Sequence, residues 1–325
     1  APREWHDTLR TTFAGLGFAP STADPSLFLC TDTSLPPFYV LVYVNDLVFA
    51  TADMEALALV LQRFDFLWSL PQPTPLSTGH SLSAPPSDES VEPSGPYPEL
   101  VGCLMYLMTC TQTDLAYPLS LLACYVAPGR HRKVHWEAAK RVLRYLCSTL
   151  GMGLVLGGRG SVVLTGHSDA SLADDQTTHR SRQRYNFSLG TGSVSWRSTC
   201  SSSVLSSSCV AEIYAGAMAA QELCWLTYPL TDLGEWPHSP PVLYVDNKAM
   251  IALCQDQRLE HRTKHIALRY FLTRELEHRG QLCLAYVATQ ANIADVFTKA
   301  LGSSDHQRFC TALGLVHTLP HLIVS

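Results

Sequence analysis

Ser161-Val162-Val163-Leu164-Thr165-Gly166-His167-Ser168-Asp169-Ala170 is an apolar, β-branched run that ends on a single aspartate. Val162, Val163 and Leu164 read as a buried strand over 162–168, entered after Gly160 and left through small residues. On that reading Asp169 leaves the sheet at a strand end, a good place to hold metal. Three later acids stand in comparable contexts. Glu212 lies near the start of an alanine-rich helical stretch, about Ser208 to Thr227, and Asp246 closes the apolar run Val242-Leu243-Tyr244-Val245. Asp295 opens a short helix, Asp295 to Leu301, after a strand-like 282–287. Singly, each acid reads as a cap, a turn residue or a solvated charge. Jointly they point to a cation, because clustered carboxylates repel one another unless something positive lies between them.

The elements around these acids complete a pattern. Strands are predicted at Tyr185–Leu189 and Val194–Arg197, a short helix at Ala249–Gln255 and a longer one at Arg262–Arg279. A three-strand meander followed by strands separated by helices makes an α/β fold with a mixed five-stranded sheet and flanking helices, over 156–315.

Upstream the chain divides by composition. Phe38-Tyr39-Val40-Leu41-Val42-Tyr43-Val44-Asn45-Asp46-Leu47-Val48-Phe49-Ala50 is two strand-like runs about an Asn-Asp turn, within a first segment, 1–70. Residues 71–98 carry many Pro and Ser without apolar periodicity and read as a linker or an irregular crossing loop. From 99 to 155 the pattern is helical in three pieces, Leu100–Cys110, Leu115–Val126 and His135–Ser148. Arg130, Arg132, Lys133, Lys140, Arg141 and Arg144 give the third piece a basic face, which is either solvated or turned toward phosphate.

At 325 residues and 46% hydrophobic the chain is long enough for two ordinary cores. A net charge of −5 argues against nucleic-acid binding by bulk charge, so any such binding rests on local patches. Eleven cysteines without a Cys-x-x-Cys pair, several in helical runs (Cys103, Cys110, Cys124, Cys147, Cys224), predict buried free thiols in a reducing compartment. No apolar run of about 18 residues and no apolar leader is present, so a membrane is not expected; the location implied is intracellular, cytoplasmic or nuclear. The chain begins without Met and reads as an interior piece of a longer product, or as a trimmed one.

Five stretches, in order, carry a resemblance: Ser168-Asp169-Ala170; Ser208-Cys209-Val210-Ala211-Glu212-Ile213-Tyr214; Asp246-Asn247-Lys248-Ala249-Met250-Ile251; Arg262-Thr263-Lys264-His265-Ile266-Ala267-Leu268-Arg269-Tyr270; and Ile293-Ala294-Asp295-Val296-Phe297-Thr298-Lys299. Together they resemble the C-terminal part of the polyprotein of Ty1/copia-type retrotransposons, the end of a reverse transcriptase followed by ribonuclease H. The resemblance implies a ribonuclease H-like domain that hydrolyses the RNA strand of an RNA–DNA hybrid, with Asp169, Glu212, Asp246 and Asp295 as catalytic metal ligands. It implies Mg²⁺, with Mn²⁺ as a substitute, the pair of ions lying about 4 Å apart. Asn247, Gln290 and Asn292, near the acids, are candidates for contacts to 2′-hydroxyls, and Arg262 and Lys264 for phosphate. His261 and His265 have i, i+4 spacing but no third ligand beside them, and zinc is not expected.

The departures from the family pattern are as specific. Tyr43-Val44-Asn45-Asp46 stands where the polymerase turn reads Tyr-x-Asp-Asp, and the upstream polymerase segment is not in this chain, so polymerase activity is predicted absent. Arg180-Ser181-Arg182-Gln183-Arg184-Tyr185 replaces a stretch resembling Arg-Ser-Thr-Ser-Gly-Tyr; losing that Gly to Arg184 predicts a strained hairpin. Two other readings stay open, a polymerase fragment by ancestry and a non-catalytic nucleic-acid-binding relic. Other parts of a parent polyprotein are expected partners.

Overall fold

The computed structural model describes residues 10–11, 14, 18–20, 27–30, 39–43, 46–48, 61–66, 68–79, 82, 95–156, 163–175, 178–233, 239–255, 269–297 and 299–317. Two units are present, one of residues 1–52 with 221–238, the other of 53–220 with 239–325.

The first unit holds an antiparallel sheet of β1 (Phe18–Pro20), β2 (Leu27–Cys30), β3 (Tyr39–Tyr43) and β4 (Asp46–Val48), paired in chain order. Tyr43 lies opposite Asp46 in the β3/β4 ladder. Asp46 therefore belongs to the second strand and not to the turn, which corrects the Asn-Asp reading; Asn45 lies outside the described residues.

In the second unit three helices come first: α1 (Tyr97–Cys110), α2 (Ala116–Leu122) and α3 (Lys133–Ser148). Pro98 sits in the first turn of α1, where its missing N–H has no intrahelical partner to lose. The stretch predicted as one helix, 115–126, is instead α2 bracketed by 3₁₀ turns at Thr113–Leu115 and Ala123–Tyr125. Leu100, Leu104 and Leu107, at i, i+4 and i+7, meet Leu119 and Leu122 of α2 and Val142, Leu143 and Leu146 of α3 in one core. His135 closes the start of α3: the Arg132 N–H donates to His135 Nδ1 at 2.8 Å, so Nε2 carries the proton and donates to the Leu82 carbonyl at 3.0 Å.

The predicted linker is partly built into this core. Leu76 and Leu82 are buried in it, Gln72 N–H donates to the Arg144 carbonyl, and Ser148 Oγ donates to the Gln72 carbonyl. Proline-rich composition removes donors and periodicity, but it does not prevent docking of the leucines between the prolines. The cysteines differ from expectation as well. Among the described residues they are free, yet Cys110 and Cys124 are exposed and Cys103, Cys147 and Cys224 only half-buried.

After β5 (Met152–Leu154) comes the main sheet: β6 (Leu164–Ser171), β7 (Arg182–Leu189), β8 (Gly192–Cys200), β9 (Val242–Val245) and β10 (Cys283–Tyr286), in the order β10-β9-β6-β7-β8. β6, β7 and β8 are an antiparallel meander, and β9 and β10 run parallel to β6. The helices are α4 (Ser208–Asp232) before β9, and α5 (Lys248–Gln255) and α6 (Arg269–His278) before β10. This is the mixed five-stranded sheet with flanking helices that the sequence pattern and the resemblance both imply. β6 starts at Leu164, and Val163 ahead of it is 49% exposed, so the buried strand lies further along than the β-branched run suggests. Gly166 marks its tightest crossing, since a Cβ there would stand 2.5 Å from the Phe187 ring. Buried Ala211, Ala215 and Ala219 repeat every fourth residue along α4.

The helix predicted at Asp295–Leu301 is a 3₁₀ turn, Ile293–Phe297, whose Val296 and Phe297 pack with Ala116, Phe309 and Leu313. The turn is set by Asn292, whose Oδ1 accepts the Ala294 N–H at 3.2 Å. Two unpredicted elements follow, α7 (Ser303–Ala312) and β11 (Leu315–His317), and β11 pairs antiparallel with β5.

Candidate metal centre

Two adjacent parallel strands and one helix deliver three of the four predicted acids to one place. Asp169 lies near the end of β6, Asp246 follows the last residue of β9, and Glu212 lies in the first turns of α4. One oxygen from each of Asp169, Glu212 and Asp246 lies within 4.8 Å of the others. Asp169 and Glu212 are buried and Asp246 is half-buried. The set contains acceptors alone when ionised, which suits a hard divalent cation. Glu212 Oε1 accepts the Ala170 N–H at 3.2 Å, while its buried Oε2 has no hydrogen-bond partner. An orphaned carboxylate oxygen beside two other acids fits a metal ligand.

The electrostatics record the crowding. Burial, then the charges of Asp169 and Asp246, push the Glu212 carboxyl up to about 9. Burial pushes Asp169 up to about 6, with the Arg184 guanidinium opposing and Asp295 and Asp246 adding. Asp295 is the fourth predicted ligand. It is buried in its 3₁₀ turn and paired with Lys299 Nζ at 2.8 Å.

Arg184 was missed as a site residue. It faces Asp169 in the β6/β7 register, has no exposed surface, and its Nη1 donates to Asp169 Oδ2 at 3.0 Å. Its backbone is not among the positive-φ residues, so the strain predicted for the lost glycine is corrected: the position is a regular ladder residue, and the change acts through the side chain. Arg182, two residues back on the same face, pairs with Asp174 at 2.9 Å and donates to Ser120 Oγ at 2.8 Å. The signal was in the alternation Arg182, Arg184, Asn186 and Ser188, hidden because the strand was predicted to begin only at Tyr185.

The nucleic-acid candidates separate into groups. Asn292 is fully buried; its Nδ2 donates to the Ser168 carbonyl at 3.0 Å and its Oδ1 caps the 3₁₀ turn. That corrects its role from a 2′-hydroxyl contact to the brace between Asp169's strand and Asp295's turn. Asn247 is the N-cap of α5, its Oδ1 accepting the Met250 N–H at 3.1 Å. Gln290 is exposed. On α3, Arg141 donates to Gln72 Oε1 and Thr74 Oγ1, Arg144 lies over Phe66, and Lys140 pairs with Glu137 and lies over Trp136. Arg132 donates to the Gly129 and His131 carbonyls. Much of the basic face thus holds the 66–76 segment and the helix start, leaving Arg130 and Lys133 exposed. Arg262, Lys264, His261 and His265 lie outside the described residues, and of Tyr43 and Asp46 only the backbone is described.

A second buried polar cluster was also unread. Tyr145 O–H donates to Asp114 Oδ2, His306 Nε2 lies 3.1 Å from the Tyr145 oxygen, and Cys310 Sγ lies 3.5 Å from His306 Nε2. Burial, the largest influence on each, raises the Asp114 carboxyl and the Cys310 thiol toward their protonated forms and holds His306 below the ordinary histidine range.

No helix among the described residues is long and apolar enough to cross a membrane. No protein-family model matches the chain. Over 98% of its length it is 31% identical to the retrovirus-related Pol polyprotein from transposon RE2 of Arabidopsis thaliana, covering 24% of that protein. Over 74% it is 35% identical to the corresponding polyprotein from transposon TNT 1-94 of Nicotiana tabacum, covering 18%. The chain thus spans about a quarter or less of these relatives. Among solved structures, LC11-RNase H1 in complex with an RNA/DNA hybrid aligns with 41% of this chain and 91% of its own, at 12% identity and a TM-score of 0.31. Five ordered motifs and a match along almost the whole sequence place the chain in the retrovirus-related Pol polyproteins of copia-type transposons.

Proposed function

We propose that the chain carries a ribonuclease H-type nuclease that cleaves the RNA strand of an RNA–DNA hybrid with Mg²⁺, or Mn²⁺ in its place. The observation that supports this reading is the acceptor-only cluster of Asp169, Glu212 and Asp246, with its orphaned Glu212 oxygen. A divalent ion, when bound, relieves charge on the phosphate and acidifies a water. The protein's part is positional. β6 and β9 are adjacent strands, so their ends fix Asp169 and Asp246 side by side, and the Ala170 N–H orients Glu212 toward them. Asn292 ties the strand of Asp169 to the turn that carries Asp295. On this reading 156–315 is the nuclease domain, 99–155 a helical connection, 71–98 a link and 1–70 a palm remnant without polymerase function. The partners would be a hybrid duplex and other parts of a parent polyprotein, in the cytoplasm or nucleus.

The test is cleavage of a hybrid labelled on its RNA strand. Wild-type chain with Mn²⁺ is expected to cut it, and Glu212→Gln to lower the rate by on the order of a hundredfold or more. Binding of the hybrid without cleavage at saturating Mn²⁺ would replace this reading with a second one, a non-catalytic binding relic. The Arg184 contact to Asp169 favours that alternative.

A further inference from the structure

We infer that Arg184 is a resident cation of the carboxylate cluster, so that the site takes one divalent ion where its four acids would otherwise hold two. The inference rests on the metal-site reading above. The resemblance assigns Asp169, Glu212 and Asp246 to one ion and Asp169 with Asp295 to the other. In the structure both carboxylates of that second pair already have a protein cation. Arg184 Nη1 lies 3.0 Å from Asp169 Oδ2, and Lys299 Nζ lies 2.8 Å from Asp295 Oδ2. Their settings differ. Lys299 is 55% exposed and can swing away, whereas Arg184 has no exposed surface and its backbone stands opposite Asp169 in the ladder. A guanidinium with no exposed surface can leave only if the groups packed around it rearrange. An ion between Asp169, Glu212 and Asp246 keeps its ligands but feels the guanidinium's repulsion. A second ion on the Asp295 side meets that charge where its ligand should be.

Mn²⁺ binding to the full chain, read by calorimetry and by electron paramagnetic resonance of free Mn²⁺, tests this directly. Wild type is expected to bind one Mn²⁺. Arg184→Met, which keeps the apolar stem and removes the charge, and Arg184→Gly, which removes the whole side chain, are each expected to bind the first ion at least about tenfold more tightly and to admit a second. The two variants guard against loss of fold in either, with circular dichroism as the check. Two ions on wild type, or unchanged affinity and stoichiometry in whichever variant stays folded, overturns the inference. Hybrid cleavage is a separate readout. Wild type that binds one Mn²⁺ and binds a hybrid without cutting it sinks the nuclease reading while the resident-cation inference stands. Wild-type cleavage with two bound ions does the reverse.

Discussion

The second unit contains two buried polar clusters of similar size, and they are built on opposite plans. Asp169, Glu212 and Asp246 bring acceptors together and keep one edge, Asp246, half open to solvent. Asp114, Tyr145, His306 and Cys310 bring donors and acceptors together and are closed. Both have metal-ligating residue types within reach of one another. The contrast shows that residue type is a poor guide. A cluster that contains its own protons satisfies most of its acceptors, Asp114 Oδ1 alone of its carboxylate oxygens lacking a partner, and joins α2's approach, α3 and α7 as a brace. A cluster of acceptors needs a cation from elsewhere, and here Arg184 supplies part of one.

The largest effect that separates the two is expected at Asp169. Asp169→Asn leaves a fully buried guanidinium without its carboxylate, and breaking such a pair costs about 3–5 kcal/mol. Urea denaturation should show that loss, and Asp169→Asn combined with Arg184→Met should recover most of it. A fully additive double variant would mean that the pair is not coupled. Next in size is Tyr145→Phe, which takes the donor away from a buried Asp114 and should cost about 1–3 kcal/mol. Mn²⁺ affinity should be unchanged in this variant; a shift would show that the closed cluster reaches the open one. The smallest effect is a control outside both. His135 is buried and neutral, and burial, the main cause, sets its pKa below the ordinary 6.5. The unfolded chain therefore takes up the proton first, so stability is intact above about pH 6.5 and falls as pH drops toward the lowered value. His135→Gln should reduce that slope by no more than about 1 kcal/mol between pH 7 and 5, and thermal melts across the range measure it.

What the sequence made legible follows the range of the forces involved. The meander and the crossover strands could be read because side-chain alternation and helical spacing are local, and three acids converge because adjacent parallel strands bring their ends together. The start of β6 was misplaced because Val162 and Val163 look like strand in any context, while burial of Val163 is decided by what lies across from it. Arg184 looked like a backbone problem, since the family glycine suggested one. Its consequence is a cross-strand contact that depends on register, which no single stretch reveals. Asn292 and Asn247 looked like ligand contacts because they sit beside acids, yet both are consumed by capping. The Asp114 cluster unites residues from far apart in the chain, and α7 and β11 went unread because short polar helices carry little periodicity.

The ribbon of β5 and β11 has a consequence for the order of assembly. Its two strands come from opposite sides of the whole sheet in sequence, with Val155 N–H also donating to the Gly314 carbonyl and Ser193 N–H to that of Leu313. Contacts of such long separation close a large loop and form late. On a ribosome, the helices α1 to α3 and the meander can collapse as they emerge, but the ribbon waits until residues beyond His317 have cleared the exit. Until then β5 and the rim of β8 present unpaired backbone, and that interval is when a nascent chain of this kind is most exposed to pairing with another.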